Sequence, residues 1–167
     1  TVEDGLSQSS VHEVFQDSFG FIWLATEKGV NRYDGYEFSQ FGKNAVASFE
    51  QNISSISEDQ FRQIWIGSND GISVYDPQTN QFSERNNGLA SKNISAMIKH
   101  SDGTMWVATY DGLHHYSYQD KRFTVHKIPP QVLANANEIT TLAETPDGLL
   151  IIGTQNQGVL LYEPNKN

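Results

Sequence analysis

Five histidines, His12, His100, His114, His115 and His126, are the side chains of this 167-residue chain best suited to ligate a metal or move a proton near neutral pH. Their spacing argues against both roles. A coordination sphere needs several donors aimed at one point, whereas the adjacent His114 and His115 point to opposite faces of any strand that carries them. They read as surface or packing residues, and no metal, cofactor or catalytic residue is assigned. Serine and cysteine nucleophile motifs, Gly-rich phosphate loops and Walker-type sequences do not occur, and the chain has no cysteine. Asp17, Asp59, Asp102 and Asp147 each stand at a break between apolar runs and read as hairpin caps.

What must position any site is a repeat. Val11, Ile53, Ile94 and Ile139 each open an apolar-rich run, at separations of 42, 41 and 45 residues. Trp23, Trp65 and Trp106 follow at 42 and 41, with Ile151 in the fourth slot 45 further on; Gly29, Gly71, Gly112 and Gly158 and then Tyr33, Tyr75, Tyr116 and Tyr162 keep step. Inside a unit the period is two. "IWLAT", "IWIGS", "MWVAT" and "LIIGT" are apolar on both faces, so both faces of that strand must be covered. "VHEVF", "ISSIS", "ISAMI" and "ITTLA" read as a strand before it, "VNRY", "ISVY", "LHHY" and "VLLY" as one after it, and a fourth, polar-aromatic strand runs through Phe38, Phe82 or Phe123. The punctuation, "EKG", "NDG" and "YDG" among it, is hairpin chemistry.

Four short antiparallel strands every 41 to 46 residues predict an all-β fold, a β-propeller of four tandem four-stranded blades, over about 9–42, 51–85, 92–126 and 137–164. Trp23, Trp65, Trp106 and Ile151 are expected between blades, and Ala25, Gly67, Ala108 and Gly153 leave room for a neighbour's bulky side chain. The chain stops at "YEPNKN", so the fourth blade lacks its outer strand, and residues 1–8 are too short and polar to replace it. An open array exposes blade faces and strand edges, from which self-association, as a two-fold pair, is expected.

Ligands of such a fold meet the turns joining second to third strands and the links between blades, because these gather round the channel mouth. The candidate binding residues are therefore Glu27, Lys28, Asn69, Asp70, Tyr110, Asp111, Gln155 and Asn156, with the linkers "GKNAVASFEQN" and "KIPPQVLANANE". Tyr110 beside Asp111 would suit a sugar ring, the phenol stacking on its face while the carboxylate accepts hydroxyls. A net charge of −9 with 11 Lys and Arg gives no footprint for nucleic acid or anionic membrane. Hydrophobic content of 37% with 13 glycines suits a turn-rich β protein. No run approaches the roughly 18 apolar residues of a membrane span, and "TVEDGLSQ" reads as the start of a mature or excised segment.

The stretch "GLSQSSVHEVFQDSFGFIWLATEKGVNRYDGYEF" resembles the opening repeat of the two-component regulator propeller family, whose units carry a Gly-Leu-Ser lead, an apolar strand, Asp-x-x-Gly-x-x-Trp-x-x-Thr and Gly-Leu-x-x-Tyr-Asp. The likeness covers residues 5–41, 53–83, 88–124 and, more weakly, 139–163. It implies the leading blades of a larger, seven-bladed propeller in the periplasmic sensor region of a hybrid histidine kinase or diguanylate cyclase. The ligand implied is a small molecule or oligosaccharide, and the fragment itself is non-catalytic. The other expectation is a propeller enzyme of lyase or glycosidase type, because fold does not settle function. Streptogramin lyases would require a His and a Mg²⁺, and the ordered His and Glu of that chemistry are not identifiable here. "SDGTMW" also resembles the sialidase Asp-box, one residue short between Asp102 and Gly103, and that box is a structural turn.

Overall fold

Period-two alternation and Gly-rich punctuation give fifteen strands in a computed structural model that describes residues 1–41, 52–126, 128 and 139–163. The first blade is β1 (Val11–Gln16), β2 (Ile22–Thr26), β3 (Gly29–Tyr33) and β4 (Phe38–Phe41); the second is β5 (Ile53–Glu58), β6 (Ile64–Ser68), β7 (Gly71–Asp76) and β8 (Gln81–Glu84). The third is β9 (Ile94–Lys99), β10 (Met105–Thr109), β11 (Gly112–Ser117) and β12 (Arg122–His126), and β13 (Ile139–Glu144), β14 (Leu150–Thr154) and β15 (Val159–Tyr162) make a three-stranded fourth. Each blade is an antiparallel meander. The first strands β1, β5, β9 and β13 lie beside one another, forming the inner ring of the propeller.

Every inner strand carries a register shift near its start or opposite it, as between Ile53 and Ser55 or Ile139 and Thr141. A bulge there raises the local twist and lets the inner strands splay around the channel. The carbonyls it disturbs are met by hydroxyls: Ser54 Oγ donates to Gly67 O at 3.3 Å, Ser95 Oγ to Ala108 O at 3.2 Å and Thr140 Oγ1 to Gly153 O at 3.3 Å.

Three apolar clusters fill the three blade junctions. Trp23 packs with Ile56, Ile64, Ile66 and Tyr75; Trp65 with Ile94, Met97, Met105, Val107 and Tyr116; Trp106 with Ile139, Leu142, Leu150 and Ile152. The indoles are 1%, 0% and 4% exposed, whereas Ile151, expected between blades in the fourth slot, is half-buried and lies outside these clusters because no described blade follows the fourth. Burying each indole removes about 150–250 Å² from water, or about 4–6 kcal/mol before entropy. At Gly67 a Cβ would come within 2.7 Å of Ile94 Cγ2 in the next blade, which is the room a neighbour was expected to need. Gly153 is small for a different reason, since its Cβ would meet Thr141 Cγ2 of its own blade at 2.4 Å.

Residues 1–8 fold back on the first blade. A 3-10 turn over Val2–Asp4 leads to Gly5, Leu6 is buried, and Asn31 clasps Ser7: its Oδ1 accepts from Ser7 N at 3.0 Å and its Nδ2 donates to Ser7 Oγ at 2.8 Å. Blade 3 repeats the arrangement with Leu89 packed into its junction and Ala90 N donating to His114 Nε2 at 3.3 Å.

The two ends of the blades differ in chemistry. At the first-to-second-strand turns, Asp17 Oδ1 accepts from Phe19 N and Phe21 N, and its Oδ2 accepts from Trp23 Nε1 at 2.7 Å. Asp59 does the same for Phe61 N, Gln63 N and Trp65 Nε1, the last at 3.0 Å. Asp102 and Asp147 stand two residues later in their repeats, and His100 and Thr145 occupy the slot six residues before Trp106 and Ile151. Asp102 caps its own turn as expected, accepting from Thr104 N and Oγ1.

Candidate functional site

Each second-to-third-strand turn begins at a buried or half-buried hydroxyl that bonds across it. Thr26, Ser68 and Thr109 donate to Gly29 O, Gly71 O and Gly112 O at 3.0, 3.2 and 3.3 Å, and Thr154 donates to Gly158 O at 2.9 Å. The same hydroxyls accept backbone N–H groups from Lys28, Asp70, Asp111 and Gln157. Gly71 sits at φ 107, and a Cβ there would lie 2.3 Å from Asn86 Oδ1, so any other residue would be strained and would displace the Asn86 side chain. These constraints leave the two residues at each tip free to face solvent, and all eight candidate side chains are exposed.

The eight share one face without converging. Glu27 lines a cavity of about 390 Å³ bounded also by His12, Asn52, Ile53 and Ser54 above the first junction. Glu27 Oε2 accepts from Gln8 Nε2 at 2.9 Å, and His12 Nε2 lies 4.0 Å from its Oε1. Asp70 pairs with Lys92 at 3.4 Å. Tyr110 is 58% exposed beside Asp111, with its backbone N held by Asn93 O at 3.0 Å. Lys28 and Asn69 share the tips of Glu27 and Asp70, and Gln155 and Asn156 share that of the fourth blade. Of the two linkers expected to contribute, only Asn52 and Ile128 fall within the described residues.

The channel wall supplies groups that were not anticipated. Glu13, Ser54, Ser55, Ser95, Thr140 and Thr141 line about 230 Å³ between the inner strands. Two of them join blades directly: Ser54 Oγ donates to Ile94 O at 2.6 Å, and Ser55 Oγ accepts from Met97 N at 3.1 Å. Burial holds the Glu13 carboxyl above its usual range. The signal was the hydroxyl recurring after the first Ile in "ISSIS", "ISAMI" and "ITTLA". Among the described residues no three His, Asp or Glu side chains are grouped to hold a metal ion.

The sequence profile described as "Two component regulator propeller" matches residues 5–28 and 88–111. Both segments start at a Gly-Leu lead that docks on a blade face and end inside a second-to-third-strand turn. The extracellular domain assigned to the hybrid two component system BT3049 of B. thetaiotaomicron superposes with a TM-score of 0.82 at 27% identity, over 99% of this chain and 25% of that one. Two of its blades thus carry the repeat of the two-component regulator propeller family. The extracellular domain of BT4673, also from B. thetaiotaomicron, gives a TM-score of 0.79 at 27% identity, over 96% of this chain and 21% of that one. A 41-residue stretch is 46% identical to "Histidine kinase P4" of Formosa agariphila, covering 25% of this chain. This propeller thus spans about a quarter of the solved domains, and its match spans 3% of the curated kinase. Virginiamycin B lyase from Staphylococcus aureus, at 13% identity and a TM-score of 0.70, shares the fold alone. No described helix is long and apolar enough to cross a membrane.

Proposed function

We propose that this regulator propeller is the non-catalytic, periplasmic ligand-sensing part of a signal-transduction receptor. It takes a small molecule or oligosaccharide on the face bearing Glu27, Lys28, Asn69, Asp70, Tyr110, Asp111, Gln155 and Asn156, and reports to a histidine kinase or diguanylate cyclase in the same chain. The observation that supports this most is the superposition of 99% of the chain on an extracellular domain of a hybrid two component system. A physical route from ligand to output lies in the channel wall. A ligand hydroxyl competing for Ser54 or Ser55 would loosen the bonds joining the second and third inner strands, and blade packing would change with occupancy.

Thermal-shift screening of oligosaccharides against the full-length receptor tests the reading. A sensed ligand at about 100 times its Kd stabilises by about 2.7 kcal/mol, and Tyr110→Ala with Asp111→Asn removes that gain. Conversion of the hit into a cleaved product would replace sensing by the lyase or glycosidase reading, and absence of any shift across the screen would overturn the oligosaccharide assignment. The same reading includes self-association through the open blade faces, where Val14, Val159 and Leu161 are 62%, 68% and 62% exposed. A purely monomeric chain in sedimentation equilibrium would remove that element.

A further inference from the structure

The second junction holds an open space that the first junction fills from within. In the first blade Arg32 stands opposite Trp23; its guanidinium lies 4.8 Å above the Phe21 ring and donates from Nη1 to Tyr75 OH at 3.1 Å. One repeat later the residue opposite Trp65 is Val74, too short to reach the same place. Gln63 and Tyr116 take the positions of Phe21 and Tyr75, and a cleft of about 230 Å³ opens between them, bounded also by Phe61, Tyr118, Arg85 and Lys121.

The lining is unusual for a chain of net charge −9, because it presents two cations and no carboxylate. Arg85 is half-buried, and its guanidinium has no ion-pair partner among the described residues; its backbone N is fixed to Ile72 O at 2.9 Å. The nearby Asp59 carboxylate sits behind Tyr118, whose hydroxyl donates to its Oδ2 at 3.2 Å, and is already engaged by two backbone N–H groups and the Trp65 indole. Phe61, 57% exposed and 5.0 Å from the Tyr118 ring in an edge-on contact, gives the cleft an aromatic wall. Arg85 offers a planar fork, Lys121 a point charge and Gln63 an amide.

We propose that this cleft binds a small ring compound bearing one acidic group, a carboxylate, sulfate or phosphate, with the acid on Arg85 and Lys121 and the ring against Phe61. Phe61, Gln63, Tyr118 and Lys121 lie toward the opposite end of the strands from the second-to-third-strand turns, and none of the eight candidate tip residues lines the cleft, so it stands independently of the sensing reading above.

Isothermal titration calorimetry on the full chain tests it with phenyl phosphate, benzoate, inorganic phosphate and uncharged benzyl alcohol. Phenyl phosphate and benzoate are expected to bind, more weakly as salt rises, and benzyl alcohol is expected not to. Arg85→Gln should weaken binding by about tenfold or more, the loss of one charge-assisted hydrogen bond. Val74→Arg should abolish it by restoring the plug of the first junction, with near-UV circular dichroism confirming the fold; should that variant not fold, Arg85→Gln decides alone. Heat from none of the probes, or wild-type affinity in Arg85→Gln, overturns the proposal. Inorganic phosphate binding as tightly as phenyl phosphate overturns its ring half.

Discussion

The first and third blade junctions bury the same indole and treat its nitrogen in opposite ways. Trp23 Nε1 donates to Asp17, which also gathers two backbone N–H groups of its own turn, and the second junction repeats this with Trp65 and Asp59. Trp106 Nε1 is buried with no partner among the described residues, because His100 stands where the aspartate would be. His100 spends its ring outward: Nε2 lies 3.0 Å from Gly148 O and 3.3 Å from Glu144 Oε1, both in the fourth blade, and Nδ1 lies 3.0 Å from Asp102 Oδ1. Ser101 N adds a bond to Glu144, as Ser18 does to Glu58 across the first junction. A clamp inside one blade has been exchanged for a latch between two. Apolar burial alone would rank these junctions as equals; polar satisfaction separates them, since an unmet buried donor costs about 1–3 kcal/mol.

Removing the internal clamp should have the largest effect. Asp59→Ala strips the acceptor from Phe61 N, Gln63 N, Trp65 Nε1 and Tyr118 OH together, and about 3–5 kcal/mol is expected to vanish from urea unfolding. His100→Ala should cost only about 1–2 kcal/mol in the same assay. Equal losses would erase the distinction between clamp and latch.

Gly67→Ala comes next, at about 2 kcal/mol, because the added methyl drives into Ile94 at the second junction. The third junction already holds Ala108 in that slot, so a neutral Gly67→Ala would mean the blades can slide apart without penalty. Trp65→Phe and Trp106→Phe then compare the indole nitrogens directly. The first leaves Asp59 short of a donor and the second relieves an orphan, so Trp65→Phe should be the more destabilising by about 1–2 kcal/mol.

The smallest effect expected is in pH. Burial holds His114 and His126 below the ordinary 6.5, with His115 adding to the effect on His126. Groups depressed in this way favour the fold while neutral, so stability should decline as pH falls from about 6.5 toward their folded values. His100 has the opposite sign. Burial opposes its charge, but the Gly148 carbonyl and the Asp102 and Glu144 carboxylates outweigh that and hold it above 6.5. Its contribution is complete below about 6.5 and fades as pH rises through its folded value. Melting curves of the wild type and His100→Gln should therefore diverge toward low pH and converge under alkaline conditions; parallel curves would show that the latch carries no charge.

Strand order within the blades and the burial of the tryptophans were legible because they depend on local alternation and on a step of 41 or 42 residues repeated across the chain. The candidate tips were legible as exposed turns for the same reason. The aspartates were legible as hairpin caps, which Asp17, Asp59 and Asp102 are, but "HSDG" and "TPDG" shift the Asp two places, and only hydrogen-bond geometry reveals which residue faces the indole. The hydroxyls of the channel wall were written in the repeat, yet their bonds to neighbouring inner strands could not be.

Alternation with period two dictates which face of a strand each side chain takes, and that was enough to stack four small sheets with indoles between them. Which atoms then meet is set by partners some 40 residues apart, and by side-chain lengths the pattern does not register. Arg32 reaches a tyrosine where Val74 leaves a cleft, and His100 turns away from Trp106 toward the next blade. Hydrogen bonding is directional and short in range, so these outcomes exist only once the blades have closed on each other.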